Sequence, residues 1–146
     1  MPIHDNIFAY AQKVISTWLK ADPDVTATFI SNKVKSTFKG VANNQLPYIS
    51  VFCDGMENQD DLLMIRGSCA VLCDDVNSEN MINTQQVCWE VFRSLNKEFV
   101  PGYNMKQYFV KMQADAVNLI PIDVDGNSFK AVGYVDFRVW QSNTRS

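Results

Sequence analysis

Residues 46 to 53 read Leu46-Pro47-Tyr48-Ile49-Ser50-Val51-Phe52-Cys53, and this stretch decides how the rest of the chain is interpreted. Aromatic and β-branched side chains favour a strand, and the proline stands at its start, where a missing N–H is tolerated. Residues 54 to 61 follow as a predicted polar loop, and alternating apolar residues predict a second strand from about Leu62 to Cys73. Two adjacent strands joined by a short polar segment predict a hairpin.

The segments that flank this hairpin predict two helices. Upstream, apolar residues recur at three-and-four spacing from Ile7 to Leu19, with Asp5 as the expected N-cap and Asp22-Pro23 as the stop. Downstream, residues 74 to 78 are a predicted capping turn, and a second helix is predicted from about Glu79 to Lys97. Its predicted inward stripe comprises Met81, Ile82, Cys88, Trp89, Phe92 and Leu95.

Two further strands are predicted near the end of the chain. Tyr108, Val110, Met112 and Ala114 alternate with polar residues, and residues 129 to 139 alternate in the same way after a turn at residues 125 to 127. Between the helices, the alternation of Val25, Ala27 and Phe29 resembles a short strand. The element order of helix, two strands, helix and two strands predicts an α+β fold. We expect an antiparallel sheet of about four strands with both helices packed on one face.

The composition is that of a folded globular protein. The 146 residues are 47% hydrophobic and 20% charged, which predicts a single domain over residues 1–146 with a core of its own. The net charge of -3 argues against direct nucleic-acid recognition, which needs a basic surface. No apolar run is long enough to span a bilayer, and the first residues lack the pattern of a signal peptide. The four cysteines are expected to be buried thiols in a reducing cytoplasm.

The residues that could carry out chemistry give no active site, so we expect a protein that is not an enzyme and needs no cofactor. His4 is the only histidine, which disfavours triads and zinc sites. Cys69 and Cys73 would lie about 13 Å apart along one face of a strand, too far to share an ion. The segment from Asp123 to Asn127 resembles part of a calcium loop, but Val132 stands where the bidentate glutamate is required.

The charges are distributed unevenly along the chain, and the acid-rich and lysine-bearing segments are the candidate binding sites. Between Asp54 and Glu79 there are seven acids and one base, Arg66. A solvated surface explains this pattern, and so does a head-to-tail contact in which the basic segment of one subunit meets the acidic loops of the next. The candidate interface residues are Lys33, Lys35, Lys39, Asp54, Glu57, Asp60, Asp61, Asp74 and Asp75. The loops at residues 54–61 and 116–128 are the candidate axial contacts.

The chain resembles the tail terminator (tail completion) proteins of bacteriophages. The resemblance lies in the strand from Leu46, the polar turn from Asp74 to Ser78 that leads into the second helix, and the alternating aromatics from Tyr134 to Trp140. It implies a hexameric ring on the last ring of the tail tube, at the head-proximal end of the virion tail, assembled in the host cytoplasm. The implied partners are further copies of the chain, the tail tube protein and a head connector or neck protein. It also implies a sheet that lines the ring, with the helices outside.

Two alternatives remain at this stage. The chain could be another phage neck, baseplate or head-completion protein of similar architecture. It could also be a small-ligand-binding α+β domain, which predicts a deep pocket with convergent polar groups.

Overall fold

The computed structural model describes residues 6–28, 34–35, 48–73, 81–123 and 129–142. Within these ranges there are three α-helices, α1 (Ile7–Ala21), α2 (Pro23–Thr26) and α3 (Met81–Leu95), together with a short 3-10 helix (Met105–Gln107). The strands are β1 (Val34–Lys35), β2 (Tyr48–Gln59), β3 (Leu62–Cys73), β4 (Phe99–Val100), β5 (Tyr103–Asn104), β6 (Lys111–Asp123) and β7 (Phe129–Ser142). The predicted α+β class is confirmed.

The main sheet has the strand order β1-β2-β3-β7-β6. The four long strands are antiparallel neighbours, as predicted, while β1 adds a two-residue parallel pairing to β2. The predicted strands at residues 62–73 and 129–139 are confirmed, the latter extending to Ser142. The small hairpin β4–β5 was not predicted. It turns at Pro101-Gly102, where Gly102 has a φ of 86° that glycine adopts without strain.

The core lies between one face of the sheet and the helices α1 and α3. Ala11, Ile15, Trp18 and Leu19 of α1 are buried together with Val87, Cys88, Val91 and Leu95 of α3. On the sheet, the residues that contribute to this core are alternate ones, such as Ile65, Cys69 and Val71 of β3 and Val135, Phe137 and Val139 of β7. The predicted placement of both helices on one face of the sheet is therefore confirmed.

The segment around Val25 corrects the sequence prediction. Val25 is fully buried in the helical turn α2 and does not lie in a strand, while Phe29 lies outside the described residues. Asp22 explains the correction, because its side chain accepts the Asp24 N–H at 2.9 Å and its backbone ends α1. The preceding cap is also corrected: Asn6, not Asp5, is the N-cap of α1 and accepts from the Ala9 N–H.

Both predicted loops prove to be largely strand. β2 continues through residues 54–59, and only Asp60-Asp61 form the turn, with Asp60 at a φ of 57°. The outer half of β2 is exposed, so its residues can be polar and still form a strand. The lack of apolar alternation there was wrongly interpreted as a loop. β6 likewise covers residues 116–123, and residues 124–128 lie outside the described residues. The start predicted for this strand is wrong as well, because Tyr108 and Val110 precede it.

Candidate functional site

The β2–β3 hairpin brings four of the predicted interface residues together. Asp54, Glu57, Asp60 and Asp61 are all exposed along its outer half. We name residues 57–61 the acidic tip, since this segment carries three carboxylates and no lysine or arginine. The strands remain paired up to Gln59 and Leu62, so the tip is a tight turn on a paired ladder.

The other predicted interface residues are not tested in the same way. The backbone of Lys35 lies in β1, where it pairs with Ser50 of β2. Lys33, Lys39, Asp74 and Asp75 lie outside the described residues. A contact between the lysine-bearing segment of one subunit and the acidic loops of the next therefore stays a prediction.

The face of the sheet opposite α1 and α3 carries a charged cleft that the sequence did not predict. The cleft has a volume of about 390 Å³ and includes Asp54, Arg66 and Asp136 in its lining. Ser68 Oγ donates to Asp136 Oδ1 at 2.7 Å. Across the β6–β7 pair, Arg138 donates to both carboxylate oxygens of Asp115 at 2.7 and 2.9 Å. We name this surface the open face.

The ion pair on the open face changes the proton affinity of both partners. Partial burial alone would raise the pKa of Asp115, but hydrogen bonds from Arg138 and Gln113 outweigh it and lower the pKa. The same pairing raises the pKa of Arg138. The two-point geometry fixes the guanidinium in one plane, as is usual for arginine and carboxylate.

Trp140 connects the open face to the acidic tip. Lys111 Nζ and Arg138 Cζ each lie 5.1 Å from the centre of a Trp140 ring, which is cation–π distance. Its indole N–H donates to Gln59 Oε1 at 2.9 Å. Because Gln59 belongs to the acidic tip, this bond holds the base of the tip against β7.

The outer side of α3 carries exposed apolar side chains. Ile82 and Trp89 were predicted to face inward, but they are 64% and 56% exposed. Cys88 and Leu95 are buried as predicted, and the helix buries Thr84, Val87 and Val91 beside them. The buried stripe is centred on these smaller side chains, which fit closely on the sheet. Trp89 stacks on Phe92 with ring centres 6.3 Å apart, and Arg93 lies over its ring.

Among the strands that the structure describes, β6 is the last of the sheet and pairs with β7 alone. Its exposed side chains include Val117 and Ile120. Asn96, just beyond the end of α3, accepts the Ala114 N–H of β6 at 3.0 Å, so this side of α3 faces the edge strand. An edge strand with open hydrogen-bonding groups is a site at which another chain can bind.

An aromatic groove lies at the end of the sheet where β6 begins and β7 ends. One part, about 240 Å³, is lined by α1 and the β5 region, including Tyr10, Lys13 and Tyr103. A wider part, about 530 Å³, adjoins it through Tyr10 and Tyr108 and reaches Lys106 and the end of β7. We name this surface the tyrosine groove. Burial, followed by the proximity of Tyr108, raises the pKa of Tyr10, so its hydroxyl stays protonated and able to donate.

The thiols are placed for packing and not for reaction. Burial raises the pKa of Cys53 to about 12 and raises the pKa of Cys69 as well. Both thiols are therefore protonated at neutral pH. They react poorly in this form, because the thiolate is the nucleophile. In the part of the chain that the structure describes, no three His, Cys, Asp or Glu residues are grouped closely enough to hold a metal ion. The described helices include none with the length and apolarity needed to cross a membrane.

Sequence reasoning missed the tyrosine groove and the outer stripe of α3. The groove combines residues from distant parts of the chain, so no local pattern indicates it. Trp89 and Ile82 lie seven positions apart, which places them on one side of a helix, but an apolar side chain on a helix is usually assigned to the core.

No protein-family model and no curated protein matches the sequence. A solved structure described as "Virion of native gene transfer agent (GTA) particle" contains a chain of similar fold. The two chains superpose with a TM-score of 0.60 over 90% of this chain and 94% of that chain, at 12% sequence identity. At this identity, the similarity shows a common fold.

Proposed function

We propose that this chain is a structural subunit of a phage-type virion. In this proposal, six copies form a ring that ends the tail tube and offers a surface to the head connector or neck. The observation that carries the proposal is the match in fold, over 90% of this chain and 94% of the other, with a chain of a gene transfer agent virion. The element order and the strand patterns that resemble tail terminators support the narrower role.

The distribution of surfaces supports a ring. A closed ring of identical subunits needs two different patches on opposite sides of each subunit. The strand order places the β2–β3 hairpin on one side of the sheet and the edge strand β6, with the outer side of α3, on the other. One side is acidic and the other carries exposed apolar side chains, so the two patches differ in chemistry.

The available area is sufficient for two such contacts. A stable interface buries about 800 Å² on each partner. The accessible surface of the chain is 8118 Å², so two contacts would use roughly a fifth of it. The remainder leaves both axial ends of the ring for the tube and the connector.

The mass of the protein, alone and mixed with tail tubes, tests the proposal. We expect a hexamer, formed either in free solution or on contact with tube protein, and tubes that carry one ring at one end. Light scattering that finds a strict monomer, combined with no binding to tubes, would overturn it. Electron microscopy of the decorated tube separates this role from that of a baseplate protein, because a terminator binds the head-proximal end.

A further inference from the structure

We propose that the tyrosine groove binds the acidic tip of a second copy of this chain. The inference rests on the proposed function, because the second copy is the neighbour in the ring. It assigns a partner to a surface that the fold similarity alone does not explain.

The chemistry of the groove fits an acidic ligand with an apolar base. Its walls are aromatic, and Lys13 and Lys106 carry positive charge at its two parts. Within the described part of the chain, Lys106 makes one ion pair, a long contact of 3.5 Å with Glu98, and both side chains are more than half exposed. Among the described residues, no carboxylate lies within 4.0 Å of Lys13. Both ammonium groups are therefore available to a ligand.

The acidic tip has the complementary composition. Glu57, Asp60 and Asp61 supply three negative charges, and Met56 beside them is 39% exposed. Tyrosine hydroxyls and lysines can bind the carboxylates while the ring faces cover the methionine. The tip is a two-residue turn between paired strands, so binding orders little additional chain and costs little entropy.

The tip and the groove lie at the same level of the molecule. Leu62, at the base of the tip, pairs with Ser142 of β7, and Ser142 also lines the groove. When the ring axis runs along the strands, rotation from one subunit to the next leaves the height of each residue along that axis unchanged. The tip of one subunit can therefore meet the groove of the next in a ring, a head-to-tail contact that repeats around the axis.

Reversal of charge on each surface tests the contact. The groove variant is Lys13→Glu with Lys106→Glu, and the tip variant is Glu57→Lys with Asp61→Lys. Asp60 is left unchanged because its positive φ disfavours most other side chains. We expect each variant to raise the protein concentration needed for ring formation by about tenfold or more, measured by mass photometry. The four-site variant, which restores opposite charges, should recover to within about threefold of the original protein.

Lys20→Glu provides the matched control for Lys13→Glu. It makes the same charge change at an exposed lysine of the same helix, outside the groove, and should leave assembly unchanged. Thermal unfolding of every variant, followed by circular dichroism, verifies that each remains folded.

The outcomes separate this inference from the proposed function. If the original protein forms rings and both charge variants form them equally well, the groove contact is wrong and the ring function stands. Loss of assembly in both variants without recovery in the four-site variant also overturns the pairing. If the original protein never associates, with or without tubes, both proposals fail.

Discussion

Gly133 of β7 lies directly beneath α3, next to the side chains of Cys88 and Thr84. A methyl group at this position would lie 2.3 Å from Cys88 Sγ, so even alanine cannot fit unless the Cys88 side chain or the helix moves. We expect Gly133→Ala to lower the free energy of unfolding by about 1–3 kcal/mol, the usual cost of overpacking a core. Urea unfolding measures this change directly.

The double variant of Gly133→Ala with Cys88→Ala tests whether the Cys88 sulfur causes this loss of stability. Cys88→Ala alone removes one buried sulfur and should cost about 1 kcal/mol. Combined with Gly133→Ala it makes room for the new methyl group, so the two changes together should cost less than the sum of their separate effects. Purely additive costs would show that the sulfur is not the obstacle.

The contribution of Asp22 to stability can be divided into a helix-capping part and a charge part. It is fully buried, caps α2 through the Asp24 N–H, and accepts two hydrogen bonds from Lys97 Nζ at 3.0 and 2.9 Å. Asp22→Asn keeps an oxygen for the cap but loses the charge, whereas Asp22→Ala loses both. We expect Asp22→Ala to be more destabilising than Asp22→Asn by about 1 kcal/mol, the typical value of an N-cap. Equal losses in thermal unfolding would mean that the cap contributes nothing.

At the scale of elements, the Asp115–Arg138 pair connects β6 to β7 and gives the sheet a pH dependence. The pKa of Asp115 is lower in the folded protein than in the unfolded chain. Its contribution is therefore complete above the unfolded pKa, near 3.8, and is lost as the pH falls through the folded value. Because both side chains are partly exposed, we expect less than about 1 kcal/mol in total.

The measurement is unfolding free energy between about pH 5 and pH 2, a range around the usual aspartate pKa. Asp115→Asn should be slightly less stable than the original protein at pH 5, and the difference should vanish toward pH 2. A difference that is constant over this pH range would show that the Asp115–Arg138 pair is not the source of the pH dependence.

Truncation of a side chain on the outer side of α3 and on its buried side should affect stability and assembly differently. Trp89 is exposed, so Trp89→Ala should lower the stability of the isolated subunit by less than about 1 kcal/mol, mainly through its contacts with Phe92 and Arg93. Val91 is fully buried, and Val91→Ala should cost about 2 kcal/mol. If the outer side of α3 belongs to the ring contact, only Trp89→Ala weakens assembly strongly, as mass photometry can detect.

At the scale of the whole molecule, the sequence predicted the parts of the fold that local patterns specify. The strand at residues 62–73 and the stop of α1 at Asp22 follow from alternation and capping, and both are present. The outer half of β2 and residues 116–123 of β6 were mistaken for loops, since exposed strand residues need no apolar period. Trp89 was misplaced because the sequence gives no sign of which side of α3 the sheet covers.

The candidate site was predicted only where it is local in sequence. The four carboxylates of the β2–β3 hairpin are close in sequence, and they are close in the structure because all four lie on one hairpin. The tyrosine groove unites Tyr10, Tyr103 and Tyr108 through packing of α1 against the residues that precede β6. Such a surface follows from the tertiary fold, which single-sequence patterns do not contain.

The continuity of the core predicts that the chain unfolds as one unit. Cys69 of β3 and Cys88 of α3 belong to the same buried cluster as Leu19 of α1 and Val139 of β7. Neither thiol can react until helices and sheet separate, because both are buried. Burial also raises the pKa of Cys69, and a protonated thiol is a poor nucleophile. At pH 8, labelling of both cysteines, resolved by peptide mass spectrometry, should follow the same denaturant midpoint as circular dichroism. Labelling of Cys88 before Cys69 would instead mean that α3 detaches as a separate unit.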